Sequence, residues 1–256
     1  MAEKYEDLLP IKKDFILSAI VEDEIKSLCE EENKKPGYFK YSAIQDIPYI
    51  ENPLLSKREN SAVFTLARDC LIRSKRDYHY NEVSITYRTD KEYTDKDAII
   101  LTHGNKTFTT YLGDEDVARF LSGPNELIFL TMHNHPNNSG LSIEDLAVFC
   151  TQSNIRYLGA VGHDGRLSFV VRERGERYSD VVAKSMAVCI SGERIKSSHG
   201  NIFKVMTAEE KNEAKKLVVN TLREKGVFVF DKISKSDIPS VIKTYSDERM
   251  CDDYAR

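Results

Sequence analysis

The chain has 256 residues, 41% hydrophobic and 30% charged, with a formal net charge of −4: too apolar for a disordered chain, and without the basic field that sequence-blind nucleic-acid binding needs. Its five cysteines (29, 70, 150, 189 and 251) form no CxxC pair, which argues for reduced thiols in a cytoplasmic protein and against a thiolate zinc site. Apolar runs such as Leu127–Met132 are far shorter than the roughly 20 residues of a membrane helix, and the acidic opening Met-Ala-Glu-Lys-Tyr-Glu-Asp is not that of a signal peptide.

In chain order, Phe15, Ile16, Ala19, Ile20 and Ile25 predict a helix over residues 13–30, followed by a turn at Pro36-Gly37. Residues 38–58 carry Pro48 and Pro53 and read as extended packing. Asn60 or Ser61 can cap a helix whose apolar positions are Val63, Leu66, Ala67, Cys70 and Leu71, with the basic cluster Arg73–Arg76 at the negative end of its dipole. Alternation of Val83, Ile85 and Tyr87 predicts a half-buried strand over 81–88. Strands at 97–103 and 106–112 meet at Gly104-Asn105, and a short helix spans 113–123. The continuous run Leu127–Met132 reads as a strand buried on both faces. A helix at 142–152 and strands at 156–162 and 167–172 follow, the last two joined by His163-Asp164-Gly165.

Residues 60–172 thus read α-β-β-β-α-β-α-β-β, an α/β domain with one mixed β-sheet and flanking helices. Residues 1–59 form an N-terminal extension, and 173–256 a mainly helical C-terminal one, with a charge-dense hinge at 172–177, helices at 178–188 and 208–224 and a short strand at 227–230.

The stretch that carries chemistry is His133-Asn134-His135-Pro136, followed by Ser142 and Asp145. Residues two apart on a strand point the same way, so both imidazoles project together from the strand end, and Pro136 stops the ladder. The polar, Gly-bearing loop 137–141 can fold back to a helix whose first turn holds Asp145. Two His and one carboxylate make three zinc ligands, with water completing a catalytic tetrahedron. The plain alternative is that Ser142 and Asp145 form only a helix cap, which leaves the His pair unexplained. The chain lacks HExxH, the Asp and third His that follow HxH in metallo-β-lactamases, and the eight strand–helix units of an amidohydrolase barrel.

This motif resembles the signature of the JAMM/MPN (JAB) metalloprotease family, with the bacterial RadC-like flavour in the Asn between the two His residues. The resemblance covers about residues 60–172 and implies a cytidine-deaminase-like MPN arrangement of sheet and helices. It implies zinc on His133, His135 and Asp145, and a general base upstream at the start of a strand after a helix, the setting of Glu82. Glu92 and Glu115 are reserves in less suitable settings. The implied reaction is hydrolysis of a peptide or isopeptide bond by zinc-bound water, with Glu82 moving the proton and Ser142 bonding the oxyanion. Protein or peptide substrates, ubiquitin-like conjugates included, are the implied partners. Asn134 points to the other strand face and has a supporting role. His103 and His163 read as turn residues, and His79 lies close enough in sequence to Glu82 to orient substrate. Two rival readings stay open: a RadC-like role in DNA repair or recombination, and a non-catalytic scaffold.

Overall fold

The computed structural model describes residues 42–104 apart from 94 and 96, then 127–173, 178–191, 194 and 202–241. The helices expected at 13–30 and 113–123, the strand at 106–112 with Asn105 of its turn, most of the hinge at 172–177, and Glu115 and His199 lie outside the described residues.

Two helices open the described chain, α1 (Ser42–Asp46) and α2 (Lys57–Arg76). Strands β1 (Val83–Arg88), β2 (Ile99–His103) and β3 (Phe129–His135) follow. Next come α3 (Ile143–Thr151), β4 (Ile155–Gly162) and β5 (Leu167–Val171). The last elements are α4 (Ser179–Cys189), α5 (Ala208–Glu224) and β6 (Phe228–Ile233). The six strands form one mixed sheet in the order β2-β1-β3-β4-β5-β6. Among the described strands only β3 and β4 pair in parallel; that arrangement needs a crossover, and α3 supplies it. This is the α/β sheet with flanking helices that the chain order predicted. The sheet continues past residue 172, because β6 pairs antiparallel with β5.

Alternation along the strands sorts side chains onto two apolar layers. Leu130 and Met132 of β3 pack with Val83, Ile85 and Tyr87 of β1 and with Leu66, Cys70 and Leu71 of α2. Phe129 of β3, Leu158 and Ala160 of β4, and Val229 of β6 pack with Leu146 and Phe149 of α3, Val182 of α4 and Val218 of α5. Covered on both faces, β3 is buried along its whole length. Its odd-numbered residues, His133 and His135 among them, share the face that carries α3, whereas Asn134 faces α2.

Residues 42–46, within the segment expected to be extended, form α1. Strand β1, expected to be half-buried, is buried up to Arg88 because both its faces are covered. One helix boundary also differs from expectation. Helix α2 starts at Lys57, capped by Ser56 in a reciprocal box with Glu59, not by Asn60 or Ser61. Asn60 lies inside the helix, and its buried amide ties down the preceding turn: Nδ2 donates to the carbonyls of Asn52 and Leu55, and Oδ1 accepts from the Asn52 N–H.

Candidate metal centre

His133 and His135 leave the end of β3 on one face and are 4% and 8% exposed, a burial that neither could sustain without polar partners. Their Nε2 atoms lie 3.0 Å apart. The His135 Nδ1 donates to the Ser139 carbonyl at 3.1 Å and meets the Ser139 hydroxyl at 2.9 Å. A proton on Nδ1 leaves the Nε2 lone pair free to face the site. The His133 ring makes its own bond to the Gly159 backbone in β4.

Helix α3 brings Asp145 over the pair. Its Oδ1 lies 3.3 Å from His133 Nε2 and its Oδ2 lies 3.7 Å from His135 Nε2. The expected helix cap and the expected ligand position coexist. Ser142 caps α3 in a reciprocal box with Asp145. Asp145 Oδ2 accepts from the Ser142 N–H at 2.7 Å and from its hydroxyl at 2.8 Å, while the Ser142 Oγ accepts from the Asp145 N–H. The box fixes the carboxylate in the orientation that meets both imidazoles. The Ser142 hydroxyl proton is therefore committed to Asp145, so Ser142 positions that carboxylate here.

Glu82 precedes the first ladder residue of β1 and is 6% exposed. A carboxylate oxygen of Glu82 and one ring nitrogen of each His all lie within 4.8 Å of one another. Thus Glu82, His133, His135 and Asp145, distant in sequence, converge on one place. Glu92 does not join them; it is on the surface, ion-paired with Arg58 at 3.4 Å. His103 is exposed and stacks on Tyr78, and His79 is exposed. His163 is a turn residue as expected, but a buried one, with its ring against Asn134.

Electrostatics follow from this crowding. Burial opposes charge on His133, but the adjacent Asp145 carboxylate and the Glu82 charge outweigh it and raise its pKa. Burial and the neighbouring His133 charge lower that of His135. Asp145 is held well below the usual carboxylate range: burial raises its pKa, but the two imidazoles and the Ser142 N–H prevail. The site thus keeps an ionised carboxylate beside two nitrogens of unequal basicity.

The sequence reading missed Ser139, whose carbonyl sets the His135 tautomer, and Gly140, which packs against Asp231 of β6. Their only sequence signal was a polar, Gly-bearing loop. Comparisons with protein-family models, curated proteins and solved structures found no match.

Proposed function

We propose that the protein is a zinc-dependent metallohydrolase of JAMM/MPN type, with the MPN arrangement of sheet and helices, acting on peptide or isopeptide bonds in the cytoplasm. The observation that carries this reading is the buried His pair. The two Nε2 atoms face each other at 3.0 Å beside the Asp145 and Glu82 carboxylates, so the lone pairs of neutral imidazoles there have a metal ion or a shared proton as their natural partner. Ligands bound about 2.0–2.1 Å from a tetrahedral ion stand about 3.3 Å from one another. The separations of 3.0 Å between the imidazoles and 3.3 Å from His133 to Asp145 suit that spacing. His133, His135 and Asp145 would hold the ion. A bound zinc ion supplies Lewis acidity, polarising a carbonyl and lowering the pKa of water to about 7.

Glu82 takes the proton of the attacking water and passes it to the amine as the C–N bond breaks. Ser142 orients Asp145; it can also donate to the developing oxyanion, because its backbone N–H keeps hold of Asp145 Oδ2 when the hydroxyl turns away. The buried Cys70 and Cys150 are free thiols, which favours a reducing compartment.

The closeness of Glu82 to both imidazoles also supports a second reading, in which Glu82 is a fourth ligand and the site is structural. Glu82→Ala separates the two. As a general base, its loss leaves zinc bound one per chain and cuts hydrolysis by about 10²–10⁴-fold. Loss of the zinc favours the structural site. Unchanged hydrolysis in this variant overturns the assignment of Glu82.

A further inference from the structure

Glu82 lies where the β1–β3 ladder gives out. On the β3 side the last register pair is Ser84 with His133, so on that side the ladder does not reach Glu82; on the β2 side Val83 is in register with His103 and the Glu82 carbonyl accepts the Gly104 N–H at 2.9 Å. The residues just before it are in an unfavourable conformation: His79 and Tyr80 have φ of 52° and 67°, the left-handed region that side chains disfavour. Something must over-determine this segment, since such conformations persist only where the surroundings hold them.

The Ser74 carbonyl holds the Tyr80 N–H, Gly104 holds the Glu82 carbonyl, and on the β3 side the side chain of Asn134 holds the rest. Its amide is fully buried, on the β3 face opposite the His pair. Oδ1 accepts the Val83 N–H at 2.7 Å, and Nδ2 reaches the Asn81 carbonyl at 3.3 Å. One amide thus grips the main chain on both sides of Glu82. Nδ2 also lies 3.1 Å from the Ser74 hydroxyl and 3.0 Å from His163 Nε2. Ser74 in turn donates to the Asn81 carbonyl, and its own carbonyl accepts the Tyr80 N–H at 2.7 Å. The end of α2, the start of β1, the end of β3 and the β4–β5 turn are tied through this one side chain.

We propose that Asn134 is a positioning residue for Glu82, holding the Asn81–Val83 main chain so that the carboxylate stays beside His133 and His135. This inference rests on the metallohydrolase reading above. It explains why an amide suits the position between the two His residues. An amide offers an acceptor for Val83 together with donors for Asn81 and Ser74; a carboxylate has only acceptors, and an aliphatic side chain has neither.

The test compares the full-length zinc-loaded protein with Asn134→Asp and with Ser74→Ala, the milder change should the first fold poorly. Zinc content, kcat and KM on a cleaved peptide, and hydrogen exchange at the Val83 amide are measured. The expected result is one zinc per chain, a fall in kcat of about 10–100-fold with KM within about twofold, and faster Val83 exchange. In a Glu82→Gln background, Asn134→Asp should cause no further fall in kcat. Unchanged kcat, or an equal further fall in that background, overturns the proposal. Should the wild type hydrolyse nothing, the metallohydrolase reading fails by itself. The crystallographic position of the Glu82 carboxylate in Asn134→Asp then decides: displacement supports positioning by Asn134, and an unmoved carboxylate refutes it.

Discussion

His163 shows how burial sets residue-level behaviour around the site. Burial in the β4–β5 turn lowers its pKa from 6.5 to about 4, against a small opposing effect of Asp164. The folded protein therefore binds this proton less readily than the unfolded chain, and stability falls as pH drops through 6.5 towards 4. A shift of that size corresponds to about 3–4 kcal/mol at most. His163→Gln keeps an acceptor for Asn134 but cannot charge. Its denaturation midpoint should fall less between pH 7 and pH 4.5 than that of the wild type, and parallel losses would show that His163 does not titrate in this way. At Ser142, replacement by Ala removes the hydroxyl bond to Asp145 but spares the backbone one. Zinc should stay bound with an affinity weakened about 10–100-fold, measurable by competition with a chelator, and hydrolysis should fall further than affinity.

Among the elements, the loop between β3 and α3 sets the distance from the His pair to Asp145. Gly140 of this loop lies against β6. A Cβ there would overlap the Asp231 carboxylate, which is held by the Ser168 hydroxyl at 2.8 Å and by Lys215 at 3.6 Å. Gly140→Ala should therefore cost about 1–3 kcal/mol of stability and weaken zinc binding, and adding Asp231→Ala should restore both. Failure of the second change to rescue the first would place the strain elsewhere. The far end of α3 depends on Arg172, 2% exposed, whose guanidinium donates to the carbonyls of Phe149, Gln152 and Ile155 and lies over the Phe149 ring. Arg172→Lys keeps the charge but not the planar fork. It should lower stability by about 2–3 kcal/mol in urea unfolding while the folded fraction still binds zinc. Much of this element-level picture was open to inspection in the sequence. The two-face-buried run ahead of His-x-His-Pro marked β3, and Ser142-x-x-Asp145 marked the start of α3. The start of α2 was misplaced because charged Lys57 and Arg58 separate its Ser56–Glu59 box from the first apolar positions. Gly159 leaves no trace in the sequence because it acts through a backbone atom, which any residue supplies, and Ser139 leaves little because its hydroxyl contact with His135 is one of many a loop serine could make.

At the scale of the molecule, the sequence suggested a mixed sheet but not its order, since pairing between distant strands leaves no local trace. That β6 closes the sheet beside β5 depends on contacts between residues about sixty positions apart. The order matters for chemistry: placing β3 between antiparallel β1 and parallel β4 puts Glu82 on one side of the His pair and the Gly159 backbone on the other. No described helix is long and apolar enough to cross a membrane. A ligand bound only by the folded state stabilises it by mass action, about 2.7 kcal/mol at a hundredfold excess over Kd. Zinc should therefore raise the melting temperature of the wild type and leave that of His133→Ala unchanged. The most direct test of the proposed metal centre is zinc content after equilibrium dialysis of the folded wild type and His133→Ala. The proposal predicts one zinc per wild-type chain and none in the variant. A well-folded wild type that binds no zinc, or a variant that keeps it, would contradict the proposal.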